Sequence, residues 1–143
     1  MPQTTLFTNG RVLDPAQGVL REGLAVLVRD GRIAEVGAGI AAPSDARVID
    51  LGGRTLMPGL IDCHMHVVAE TLDLWGNMIA PSSLAGLRAA RVMEETLQRG
   101  FTTIRDLGGA DHGLVRGIEE GLIDGPRIVI CGKGLTTTGG HAD

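Results

Sequence analysis

The chain has 143 residues, 43% of them apolar, and 13 Lys+Arg against 17 Asp+Glu leave a net charge of −4. That balance excludes a disordered chain and predicts a soluble globular protein of one or two small domains. With Phe7, Trp75 and Phe101 as its aromatic residues and no basic stretch, the sequence lacks the charge footprint and stacking surfaces of a nucleic-acid binder.

No basic segment leads into an apolar run, and no stretch approaches the ~18 continuous apolar residues of a membrane span. The expected compartment is therefore the cytoplasm. Cys63 and Cys131 are far apart, show no Cys-x-x-Cys spacing and lie in apolar runs, so buried, reduced thiols are expected.

Residues 1–56 read as short strands separated by turns, because apolar stretches of a few residues alternate with glycine pairs and Asx-Gly steps. Thr5 to Thr8 precedes Asn9-Gly10, and Arg11 to Leu13 follows it. Leu24 to Val28 and Arg32 to Val36 flank Asp30-Gly31, a dipeptide suited to the two-residue hairpin turn whose central positions both need positive φ. Arg47 to Leu51 then runs into Gly52-Gly53. This region is predicted to be a small antiparallel β unit.

From Thr55 the pattern changes to strands alternating with helices, as in parallel βαβ units. Leu60 to Val68 is an apolar run interrupted by Asp62, His64 and His66. After Pro81-Ser82-Ser83, the residues Leu84, Leu87, Ala90, Met93 or Glu94, and Leu97 recur at helical spacing, and Gly100 supplies a stop. Phe101 to Ile104 is the next predicted strand. Asp111 is placed to cap a short helix with Leu114, Ile118 and Leu122 on one face, and Arg127 to Cys131 is a third strand. The tail from Gly132 to Asp143 has no apolar run and reads as a loop. A closed eightfold βα barrel takes ~250 residues. Only 88 residues follow Thr55, so a barrel reading implies a chain that stops early and, alone, aggregates or needs a partner to cover its sheet.

Side chains on a regular strand alternate faces, which would set Asp62, His64 and His66 on one side and Ile61, Cys63 and Met65 on the other. Two imidazoles two positions apart are then separated by roughly 6.5 Å and can turn ring nitrogens onto one cation. Unpaired imidazoles facing a barrel interior would be costly, and a metal ion would satisfy them. The pair stands at the downstream end of its strand, after Pro58-Gly59, and barrel enzymes carry their active sites at that end.

The segment Pro58-Gly59-Leu60-Ile61-Asp62-Cys63-His64-Met65-His66 resembles the first metal-binding strand of the amidohydrolase superfamily, and the β-rich leader ending Gly52-Gly53-Arg54-Thr55-Leu56-Met57-Pro58-Gly59 resembles the part that builds a small β-sandwich beside the barrel. Phe101 to Gly109 and Thr138-Gly139-Gly140-His141 are similar to segments of the branch containing imidazolonepropionase-like proteins and metal-dependent, Xaa-Pro dipeptidase-like enzymes.

The resemblance implies an α/β chain with a composite β-sandwich over residues 1–56 and the first three βα units of a (β/α)8 TIM-type barrel over residues 57–143. It implies that His64 and His66 are the first two ligands of a divalent metal, usually zinc, in a site of one or two metals. Asp62 would either accept a hydrogen bond from a ligand imidazole and fix its tautomer, or be a polar residue of the barrel floor. His141 would touch substrate or a developing oxyanion, or be a loop histidine with no such role. Arg105-Asp106 reads as a local ion pair, and His112 as a solvated residue near a helix start. The remaining ligands and the general base of the family lie on later strands; Lys133, the one lysine here, does not match the bridging position.

For the intact enzyme the resemblance implies hydrolysis of a C–N bond in a small amide or dipeptide by metal-activated water, and a homo-oligomeric assembly. The alternatives are a cyclic-amidine deaminase of the same superfamily and a non-catalytic fragment that binds a metal or a partner. Because imidazole ligates only when neutral, metal occupancy is predicted to fall as pH drops below the ordinary histidine range.

Overall fold

Asp30 at φ 50° and Gly31 at φ 72° form the turn expected between two strands, in a computed structural model that describes residues 4–140. The chain divides after Pro58 into two units.

In the first unit the strands are β1 (Thr4–Thr8), β2 (Arg11–Asp14), β3 (Val19–Arg21), β4 (Ala25–Arg29), β5 (Arg32–Gly37), β6 (Arg47–Asp50) and β7 (Thr55–Leu56). They form a four-stranded sheet of order β5-β4-β1-β6 and a three-stranded sheet of order β3-β2-β7. Leu6, Val26 and Leu27 are buried, each contributing about 1.5–3 kcal/mol of hydrophobic stabilisation.

The sheets are mixed rather than antiparallel throughout, because β1 pairs parallel with β6 and β2 parallel with β7. The β4–β5 hairpin lies between β1 and β6 in sequence and supplies the long crossover that a parallel pair requires. The strand Val19–Arg21 was not evident in the sequence. Its three residues are all exposed, so it carries no alternation of apolar and polar positions.

The second unit contains β8 (Leu60–Met65), α1 (Leu74–Ile79), α2 (Ser82–Gln98), β9 (Phe101–Asp106), α3 (His112–Glu119) and β10 (Arg127–Ile130). Its strands form a parallel sheet of order β10-β9-β8. Val67, Ala89, Met93, Ile104, Ala110 and Ile128 make its core, with Leu114, Val115 and Ile118 packed against it. The chain is thus an α/β protein in which helices connect neighbouring parallel strands.

The buried face of α2 runs through Ala89, Met93 and Thr96, while Leu84 and Leu87 are exposed. The buried stripe is therefore offset by part of a helical step from the apolar stripe expected from the sequence, with Met93 common to both. α2 begins after Pro81 without a serine cap, whereas Asp111 caps α3 as predicted by accepting from the amides of Gly113 and Leu114. α1 went unpredicted. It is six residues long and is started by the Asp73 carboxylate, which accepts from the Gly76 amide. Leu122 lies beyond α3 and is exposed rather than on its packed face. No helix among the described residues is long and apolar enough to cross a membrane.

Both cysteines are exposed free thiols, which corrects the expectation of burial. Cys63 lies on β8 and Cys131 just beyond β10, the two edge strands of this sheet.

Candidate metal centre

The strand β8 is irregular where its chemistry lies. Asp62 pairs with Ile104 and Met65 with Asp106, so three steps on β8 oppose two on β9. One extra residue reverses the facing of the side chains beyond it. Asp62 is in register with buried Ile104, on the side the helices cover, and does not share a face with His64 as strict alternation required.

Two hydrogen bonds hold the bulge. The Asp62 carboxylate accepts from the backbone amide of His64 at 2.9 Å, and the Arg105 guanidinium donates to the carbonyl of Cys63 at 2.8 Å. Asp62 thus supports the backbone of His64. Arg105 is engaged with the bulge and not with Asp106, so the expected local ion pair does not form.

The two histidines stand two positions apart, His64 on β8 and His66 just beyond its end. The His64 and His66 rings lie 5.5 Å apart between centroids with 73° between their planes, and both residues are exposed. Nδ1 of His66 lies 3.1 Å from the carbonyl oxygen of Gly108. A carbonyl only accepts, so the neutral ring carries its proton on Nδ1 and keeps the Nε2 lone pair for a ligand.

Asp106, expected only as half of a local ion pair, has a different part in the structure. Its side chain is fully buried, and its two oxygens accept from the amides of Val67, Gly108 and Ala110 at 2.8, 2.9 and 3.2 Å. The loop after β9 is therefore tied to the segment after β8. The pattern Arg-Asp-Leu-Gly-Gly held the signal, since a carboxylate followed by glycines commonly caps its own downstream amides.

Two neutral imidazole nitrogens suit a borderline cation such as zinc, and an outer hydrogen bond from a ligating histidine is what such sites require. No group of three His, Cys, Asp or Glu side chains able to hold a metal occurs among the described residues. His112 is exposed at the start of α3 and Lys133 is exposed beyond β10. His141 lies outside the described residues.

Residues 55–143 match the amidohydrolase family. The chain is 34% identical over 138 residues to ochratoxinase of Aspergillus niger, covering 92% of this chain and 29% of that protein. It is 50% identical over 99 residues to dihydroorotase of Geobacter sulfurreducens, covering 69% of this chain and 20% of that protein. A crystal structure of a prolidase complexed with N-methylphosphonate-L-proline superposes with a TM-score of 0.92 at 44% identity, over 97% of this chain and 34% of that one. The chain therefore spans about a third or less of the length of these relatives.

Proposed function

This chain belongs to the amidohydrolase family, and from that premise we propose that it is the opening part of a metal-dependent hydrolase that cleaves a C–N bond in a small amide or dipeptide. The observation that carries the reading is the convergence of His64 and His66 at 5.5 Å, with the His66 ring bonded through Nδ1 to Gly108.

In this reading residues 57–143 begin a (β/α)8 barrel and residues 1–56 contribute to a composite β-sandwich. His64 and His66 hold a divalent cation, zinc by donor type, through one nitrogen each. When bound, the cation supplies the acidification of an attacking water and the polarisation of the scissile carbonyl. Asp62 and Arg105 fix the bulge that aims His64. Gly108 orients His66, and His141 contacts substrate. The general base and the remaining ligands come from a longer chain, and the intact enzyme is a cytoplasmic homo-oligomer.

The prolidase likeness supports a dipeptide substrate, and the dihydroorotase likeness supports a cyclic one. A non-catalytic, metal-holding role is the second reading, favoured by the lack of a third ligand among the described residues. Zinc titration of the purified chain tests the metal site, and an assay of a chain extended to the length of its relatives on dipeptides and cyclic amides separates the two readings. Hydrolysis by the longer chain supports the enzyme, zinc binding by it without turnover supports the second reading, and no zinc binding contradicts both.

A further inference from the structure

We propose that Asp106 is a positioning residue for His66: by clamping the backbone on both sides of the His66–Gly108 hydrogen bond, it fixes the imidazole proton on Nδ1 and leaves Nε2 open to a cation. The inference rests on the reading of His66 as a ligand and adds to it a residue that lies outside the coordination shell.

The argument starts from where each amide held by Asp106 sits. Val67 follows His66 directly, so the bond from the Val67 amide to Asp106 fixes the peptide group that leads out of the histidine. Gly108 offers the carbonyl that His66 meets, and its amide donates to the other carboxylate oxygen. The Ala110 amide shares that oxygen and closes the turn. One carboxylate therefore sets the distance between the ring and its acceptor.

A carboxylate suits this position because it accepts at both oxygens and donates at neither. Asparagine would keep one acceptor and turn an NH2 toward a backbone amide, leaving donors opposed in a site that is 0% exposed. The bonds to charged oxygen are also stronger than neutral ones. Two further pairs of residues limit the motion of the loop. The Leu107 amide donates to the Met65 carbonyl at 2.9 Å, and Gly109 adopts φ 109° against Val68, where an added Cβ would lie 2.1 Å from a Val68 methyl.

The test is the imidazole nitrogen spectrum of the 143-residue chain, labelled with nitrogen-15, free of metal and held at pH 8. The expected result is a His66 ring protonated on Nδ1 in the parent chain. In Asp106→Asn the ring becomes a mixture of tautomers, and zinc affinity falls about 10- to 100-fold, the usual cost of removing a ligand's outer partner. A parent chain with His66 protonated on Nε2 overturns the proposal without any variant, so a variant that fails to fold does not protect it. A folded Asp106→Asn with the parent tautomer and the parent zinc affinity overturns it as well. If zinc shifts neither His64 nor His66 while the Nδ1 proton is present, the metal reading fails and the orienting role of Asp106 stands.

Discussion

The carbonyl oxygen of Gly108 meets Nδ1 of His66 at 3.1 Å across 42 residues of sequence. This bond decides which ring nitrogen is free, and it links the ends of two neighbouring parallel strands. In the proposed site, removing either ring takes away one of two nitrogen ligands. His64→Ala and His66→Ala are expected to lower zinc affinity, measured by calorimetric titration, by more than the roughly 10- to 100-fold caused by losing an outer partner. His112→Ala, at an exposed site on α3, leaves the affinity unchanged.

Gly109 and Gly31 both have positive φ, at 109° and 72°, but differ in surroundings. A Cβ on Gly31 meets nothing within 4 Å, so Gly31→Ala carries only the cost of left-handed backbone, about 1–2 kcal/mol. A Cβ on Gly109 runs into Val68, so Gly109→Ala adds steric overlap and destabilises by about 3 kcal/mol or more. Urea unfolding of the two variants measures the difference. Gly109→Ala also weakens zinc binding, and Gly31→Ala does not.

The facing of α2 predicts opposite outcomes for two large apolar side chains. Met93 is fully buried, and Met93→Ala costs about 2–5 kcal/mol through lost burial and the cavity left behind. Leu87 is 72% exposed, and Leu87→Ala stays within about 0.5 kcal/mol of the parent. Equal costs in denaturant unfolding would show that the helix packs on the stripe read from the sequence.

Asp50 is held below the usual carboxylate range, first by the hydrogen bond from the Gly52 amide and then by that from the Asn9 side chain. Its folded-state pKa is below its unfolded value. The stability it adds is therefore present above about pH 4 and is lost as pH falls through the lowered folded pKa. Asp14, lowered first by its hydrogen bond from Arg21, acts in the same direction. Asp50→Asn is expected to flatten the loss of stability between pH 5 and pH 3 in denaturant unfolding, and an unchanged slope would contradict this linkage.

Local rules carried the sequence reading as far as local forces decide the structure. Asp30-Gly31 and Asp111 were legible because turn and cap chemistry acts within a few residues. The pairing of β1 with β6 and the rotation of α2 depend on contacts between distant segments, which periodicity does not encode. At the site, His64 and His66 stood out by type and spacing, but strict alternation misplaced Asp62, because a single inserted residue reverses a strand's facing. Asp106 looked like half of a surface ion pair. Its burial and its three amide partners follow from how two strands end side by side.

X-ray absorption at the zinc edge of the zinc-loaded chain tests the metal assignment most directly. Two imidazole nitrogens at about 2.0–2.1 Å are predicted, falling to one in His64→Ala and in His66→Ala. A shell of oxygen alone, or one that neither substitution changes, would contradict it.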